Sequence, residues 1–208
     1  MSKFDVKIGI SSNRNFYKKT IPVCVGSIIN SGFNPDDVYV FVGGFDGDYE
    51  PMDIGFPVKA YKCPHNSFDF TSVVSIVEIG LDDLNWFLLH DTIEVDKNFY
   101  EILSLELLNS KKKINVFPSM SMGSYDSSSF ELAKKNLHVI KNISKSKCIQ
   151  LEDMFIKDLP SICNGFEFLG LYDVYKTGTE RYVEYYKEAG IKKNKANNGT
   201  KPYLILDV

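Results

Sequence analysis

Trp86-Phe87-Leu88-Leu89-His90-Asp91-Thr92-Ile93-Glu94-Val95 is the stretch on which the reading of this fold turns. Large apolar residues run without a break from Trp86 to Leu89 and stop at the polar triplet His90-Asp91-Thr92. A short unbroken apolar run closed by turn residues fits a strand covered on both faces. The same pattern precedes it. Val6 to Ile10 reads as a strand ending in Ser11-Ser12-Asn13-Arg14, and Val38-Tyr39-Val40-Phe41-Val42 is a second run, closed by Gly43-Gly44. Val58 to Cys63 reads as a weaker third. Between these runs the period changes to that of a helix: Ile21, Val25, Ile28 and Ile29 share one face, with Pro22 near the start and Ser31-Gly32 at the end. Phe70, Val73, Val74, Val77 and Leu81 mark another amphipathic helix. Strands alternating with helices at this spacing predict an α/β chain with a mostly parallel central sheet flanked by helices.

The second half is less regular. Asn98 to Leu108 reads as helix, Ile114 to Met122 as one strand or two short ones, Ser127-Ser128-Ser129 as a loop, and Phe130 to Val139 as helix. Thr177-Gly178-Thr179-Glu180 has the pattern of a capping box. It predicts a helix carrying Tyr182, Tyr185, Tyr186 and Ala189, stopped by Gly190. Ile191 to Lys201 is basic and rich in Asn and Gly, the composition of a loop, and Tyr203 to Leu206 reads as a last strand or a docked tail. No internal repeat or linker breaks the chain, so one domain over 1–208 is expected.

Composition narrows the classes. With 208 residues, 44% hydrophobic and 25% charged, the balance is that of an ordinary globular domain. A net charge of -3 lacks the broad basic field of a nonspecific nucleic-acid binder, so no nucleic-acid partner is expected. Cys24, Cys63, Cys148 and Cys163 form no CxxC pair and have no histidine cluster beside them, which excludes zinc-ribbon and thioredoxin-like readings. They read as reduced core residues. Neither a signal-like apolar segment at Met1-Ser2-Lys3-Phe4-Asp5 nor a run of membrane-helix length is present, so the expectation is a cytoplasmic chain without a membrane span.

In an open parallel sheet, ligands bind at the carboxyl ends of the strands. Here those ends are Ser11 to Arg14, Gly43 to Asp46, Pro64 to Asp69 and His90 to Glu94. They supply hydroxyls, amides, one arginine, two histidines and several carboxylates. Neither the glycine fingerprint of a dinucleotide fold nor a P-loop follows any of these strands.

The run from Trp86 to Val95 resembles the acidic-triplet region of GT-A glycosyltransferases, where apolar residues precede D-x-D and a short apolar stretch follows. Gln150-Leu151-Glu152-Asp153-Met154 is similar to the x-E-D motif that many inverting members place at the start of a helix. The order along the chain also matches: strand end, then Met120-Ser121-Met122-Gly123, then Glu-Asp. The resemblance covers residues 4–175 coarsely. Its nearest likeness is to small soluble enzymes of large DNA viruses, of chlorella-virus type, and of bacteria.

What the resemblance implies is a GT-A-like domain that takes a nucleotide-sugar donor and a glycan or protein-linked sugar acceptor. Its nucleotide-binding half would be about 4–95 and its acceptor side about 96–208. Ser11, Ser12, Arg14, Asp46, Asn66 and Asp69 would hold the nucleotide, with the helix after Asp69 turned toward the diphosphate. Asp91 with His90 would hold the diphosphate or its divalent cation, Mn2+ or Mg2+. Asp153, beside Glu152, would take the acceptor proton, with Asp126 and Asp173 next in line. Lys192, Lys193 and Lys195 read either as a lid over phosphate or as a solvated charge run.

One departure bears on metal dependence: His90 and Thr92 stand at the outer positions of the triplet, where the family has aspartates. That question is open at this point. So is the rival reading, a catalytically silent GT-A-like module that binds a glycan or a protein. A nucleotidyltransferase would want a glycine-rich basic segment after the first strand, which Ser11 to Arg14 does not supply.

Overall fold

The computed structural model of the chain describes residues 6–109, 113–115, 122–152, 166–168, 173–176, 181–186 and 190–196. In chain order the elements begin with strand β1 (Lys7–Asn13), helix α1 (Tyr17–Asn30), strands β2 (Val38–Gly43), β3 (Glu50–Pro51) and β4 (Lys59–Cys63), and helix α2 (Thr71–Ile79). Strands β5 (Trp86–His90) and β6 (Ile93–Val95), helix α3 (Phe99–Asn109), strands β7 (Lys113–Asn115) and β8 (Gly123–Tyr125), and helices α4 (Ser127–Ile140) and α5 (Lys145–Glu152) follow. The last are β9 (Phe166–Phe168), β10 (Asp173–Lys176), β11 (Arg181–Tyr186) and β12 (Ile191–Ala196).

The larger sheet has the order β3-β4-β2-β1-β5-β8-β7-β9. Its centre, β4-β2-β1-β5, is parallel throughout. β3 and β8 add antiparallel neighbours on either side. The chain is thus α/β, with a mixed sheet built on a parallel core and flanked by helices.

The apolar runs are continuous because this core is covered on both faces. Val38, Val40 and Val42 of β2 enter one cluster with Ile8, Ile10, Phe87, Leu89 and the Ile21, Val25 and Ile28 stripe of α1. The alternate residues Tyr39 and Phe41 enter the opposite cluster with Trp86, Leu88, the Val73, Val74 and Ile76 stripe of α2, and Phe130 of α4. Gly9 faces the second of these clusters at close range: a Cβ there would lie 2.6 Å from Leu88 Cδ2. Cys24, Cys63 and Cys148 are buried inside these clusters and form no disulfide, as expected of reduced core residues. Cys163 lies outside the described residues.

Several expectations need correction. The strand expected to stop at Ile10 runs on to Asn13, because Ser11, Ser12 and Asn13 pair in register with Phe41, Val42 and Gly43. Pro22 falls inside α1, which begins a turn earlier at Tyr17. Within the helix expected to carry Tyr182 to Ala189, residues 181–186 form strand β11, and the first residues of the loop expected from Ile191, 191–196, form strand β12. Aromatic and β-branched residues in Arg181-Tyr182-Val183-Glu184-Tyr185-Tyr186 favour a strand, and antiparallel partners on both sides supply the pairing. The capping-box residues 177–180 and the tail 203–206 lie outside the described residues.

β11 and β12 belong to a second, four-stranded antiparallel sheet of order β10-β11-β12-β6. Gly190 makes the turn between them at φ 64°, a left-handed conformation that glycine takes without strain, and its carbonyl accepts the Asp96 N–H at 2.7 Å. Among the described residues, no helix is long and apolar enough to cross a membrane.

Candidate active site

The parallel core brings the carboxyl ends of β1, β2, β4 and β5 to one edge of the sheet. Ser11 stands opposite His90, and Asn13 stands opposite Gly43, which in turn faces Cys63. The chain leaves β5 through Asp91 and Thr92 and enters β6 at once. The Asp91 N–H donates to the Ser11 carbonyl at 3.1 Å, which continues the β1–β5 ladder into the turn.

The Asp91 side chain turns inward. Its Oδ2 accepts the Ser12 hydroxyl at 2.5 Å and the Thr20 hydroxyl at 2.8 Å, and the residue is only 4% exposed. Burial is the main force on its carboxyl, pushing the pKa up to about 6. The two hydroxyls act in the opposite sense, the nearby Asp69 charge adds to the rise, and Lys145 opposes it. Helix α1 grips the whole segment with a polar stripe. Thr20 holds Asp91, the Cys24 thiol points to the His90 carbonyl at 3.7 Å, and Ser27 Oγ accepts the Val95 N–H at 3.0 Å. These positions are i, i+4 and i+7, one face of a helix.

Asp69 lies on the other side of Ser11. Ser11 Oγ sits 3.1 Å from the Asp69 carbonyl and 2.7 Å from Ser72 Oγ, and it accepts the Ser72 N–H at 3.0 Å. Ser11 therefore satisfies one of the first-turn amides of α2 from inside the protein. The Asp69 carboxylate meets Lys145 Nζ at 2.7 Å, and the Cys148 thiol lies 3.7 Å away. The loop before it is tightly tied. Asn13 Nδ2 donates to Asn66 Oδ1 at 3.0 Å, the Asn66 N–H to Asn142 Oδ1 at 3.0 Å, and the Asn142 N–H to Ser67 Oγ at 3.2 Å. Phe68 at φ 49° and Asn142 at φ 53° are the non-glycine residues with left-handed backbone among those described. They belong to this one knot, and Lys145 Nζ lies 5.6 Å from the Phe68 ring centre. Strain of this kind persists where the surroundings over-determine it.

His65 props the knot from below. It is buried, with Nδ1 at 2.9 Å from Ser67 Oγ and Nε2 at 3.1 Å from Ser75 Oγ, and burial lowers its pKa to about 4. Glu78 ties the same region outward through Tyr49 at 2.7 Å and through Lys141.

The remaining candidates are more dispersed. The Arg14 amide donates to the Gly43 carbonyl at 3.0 Å and the residue is exposed at the same rim. Asp46 is exposed in the bend after β2 and makes no bond to the Asp91 group among the described residues. Glu152 lies in α5, seven residues after its first residue Lys145, and so does not open that helix. Asp153 lies outside the described residues. Asp126 is engaged as the N-cap of α4, accepting the Ser129 N–H at 2.9 Å. Lys192 pairs with Asp96 at 2.8 Å on β12, at the far side of β6.

A divalent cation would need several oxygen or imidazole ligands converging on one point. Asp91 spends Oδ2 on two hydroxyls, and Thr92 adds only a hydroxyl. Among the described residues no three His, Cys, Asp or Glu side chains gather as a metal-holding group. By themselves these residues do not make up the cage of a hard cation.

No protein-family model matches the chain, and a search of curated proteins finds no match.

Sequence reasoning missed Thr20, Ser72, Asn142 and Lys145. For Thr20 a signal was present, the small polar residues Thr20, Cys24 and Ser27 recurring at helical spacing beside the apolar stripe. Lys145 and Asn142 reach the site from 76 positions away, and no local pattern marks them.

Proposed function

We propose that this chain is a glycosyltransferase that moves a sugar from a nucleoside-diphosphate donor to an acceptor hydroxyl. The observation that carries the reading is the Ser12–Asp91 bond. It joins the ends of two adjacent parallel strands at the edge where open α/β sheets take their ligands. Around that bond stand the hydroxyls, amides and charges of Ser11, Asn13, Arg14, Asn66, Asp69 and Lys145. In this reading the nucleoside lies against Asn13, Arg14 and Asn66, and the diphosphate lies toward the Asp69 side. Asp153 takes the proton of the acceptor hydroxyl, with inversion at the anomeric carbon, as its likeness to the x-E-D motif suggests. The acceptor is a glycan or a protein-linked sugar.

A panel of nucleotides and nucleotide-sugars, with and without Mn2+, tests this by thermal stabilisation. A ligand at a hundred times its Kd adds about 2.7 kcal/mol to the stability of the folded state. The reading predicts a shift with at least one nucleoside diphosphate and a larger one with its sugar conjugate. No shift with any member at millimolar concentration removes it.

The inward turn of Asp91 favours a second reading, a catalytically silent module that binds a glycan or a protein partner. Sugar release or transfer from a bound donor separates the two, since the silent module performs neither.

A further inference from the structure

We infer that the charge of the bound diphosphate is offset in this site by Lys145 and not by a divalent cation, with Asp69 as the resident counter-ion that the ligand replaces. The inference rests on the nucleotide reading above and specifies how that site handles charge.

Three observations lead there. The first is that the carboxylate of the triplet is already committed. Asp91 is buried and its Oδ2 takes two protein hydroxyls that hold β1, α1 and the β5–β6 turn together, so a metal on that oxygen would have to displace them. The second is position. Lys145 heads α5, and its ammonium meets Asp69 at 2.7 Å, while the Asp69 carbonyl lies 3.1 Å from Ser11 Oγ. The Ser11 carbonyl in turn takes the Asp91 N–H. Lys145 therefore stands over the end of β1, on the same rim as Arg14. The third is exchangeability. The Lys145 side chain is 36% exposed and that of Asp69 is 17% exposed, and ion pairs reached by solvent hold weakly. A diphosphate carries more negative charge than one carboxylate and competes for the same ammonium. The Lys145 ammonium meanwhile lies 5.6 Å from the centre of the Phe68 ring, a residue with left-handed backbone in the knot with Asn142.

The balance of charge supports the same assignment. Asp69 and Asp91 flank Ser11 and repel an incoming anion, so a cation must act between them. Lys145 is the cation paired with Asp69, and its field reaches the buried carboxyl of Asp91.

The experiment is calorimetric titration of the full chain with UDP and with GDP, in EDTA and in Mn2+, for the parent and for Lys145→Gln, Lys145→Arg and Asp69→Asn. The parent binds one of the two nucleotides in EDTA, with an affinity that Mn2+ changes by less than about threefold. Lys145→Gln weakens binding by about 10–100-fold, the size of a lost charge-assisted hydrogen bond, and Lys145→Arg restores most of it. Asp69→Asn removes the competitor and tightens binding, an effect opposite in sign that a general loss of folding cannot imitate. Binding that requires Mn2+, or a Lys145→Gln variant that binds like the parent, overturns the inference and leaves the transferase reading standing. An Asp69→Asn variant that weakens binding as much as Lys145→Gln also overturns it. If the parent binds neither nucleotide under either condition, the transferase reading fails and the inference falls with it.

Discussion

Thr20 Oγ1 lies 2.8 Å from Asp91 Oδ2, so a helix packed on one face of the sheet holds the turn that ends one of its central strands. Thr20 is fully buried, and Val in its place keeps the shape while removing the donor. Thr20→Val leaves Asp91 with the Ser12 hydroxyl alone. The expected loss is about 1–3 kcal/mol, read as a fall of about 2–10 °C in Tm. Ser12→Ala should cost a similar amount, and the double variant should differ from the sum because both hydroxyls serve one oxygen. A Thr20→Val protein that melts with the parent would show that this bond contributes nothing.

The pH dependence of stability separates two buried groups of opposite sign. Burial raises the Asp91 pKa from 3.8 to about 6, so between those values the folded state binds more protons than the unfolded chain. Its contribution is complete below about pH 4 and is lost as pH rises through about 6, amounting to about 3 kcal/mol for a shift of about two units. His65 behaves in reverse. Its pKa falls from 6.5 to about 4, so its contribution is present above pH 6.5 and is lost as pH falls through 4. The two oppose each other over the same interval. Asp91→Asn removes one of them, so urea melts should show the variant gaining on the parent as pH rises from 4 to 7. A difference that stays constant with pH would contradict the assignment.

The floor of the site gives a paired prediction. A Cβ on Gly43 would lie 2.8 Å from the His65 carbonyl oxygen, which already accepts the Gly44 N–H at 2.8 Å and cannot retreat without loosening that bond. Gly43→Ala should therefore cost about 1–3 kcal/mol in denaturant melts. The same Cβ would lie 3.1 Å from Thr71 Oγ1, a buried hydroxyl with no hydrogen-bond partner among the described residues. Thr71→Val removes that unsatisfied group, and the variant should be as stable as the parent or up to about 1 kcal/mol more stable.

Asp153→Asn tests the proposed base. Transfer should fall by a factor of about 10²–10⁴ in kcat, while the Kd for the donor stays near that of the parent, because the proton moves only as the bond to the acceptor forms. Transfer at the parent rate would remove Asp153 as the base.

The parallel core was legible because its strands are buried on both faces. Val38 to Val42 and Trp86 to Leu89 have no polar alternation to misread, and the ends they predict are the ends observed within a residue. The small antiparallel sheet was not. Tyr182, Tyr185 and Tyr186 fit helical spacing as readily as strand spacing, and what decides between them is pairing with β12 and β10, which no local window contains. At the site, Ser11, Ser12, Asn66, Asp69 and Asp91 were legible from position alone, since each follows or ends a strand of the core. Their connections were not. The inward turn of Asp91 is held by Thr20 from α1, and the Asp69 carboxylate is paired with Lys145 from α5.

The pairing of β6 with β12 has a consequence for how the chain reaches this state. Glu94 stands opposite Lys192, about a hundred positions later, so the strand that leaves the Asp91 turn waits for one of the last described segments before its free edge is covered. During synthesis the parallel core can assemble first, while β6 presents an open edge to the rest of the nascent chain and to its neighbours. The strand that leaves the site is thus among the last of the described strands to be paired, and slow refolding with concentration-dependent loss is the behaviour expected of this topology.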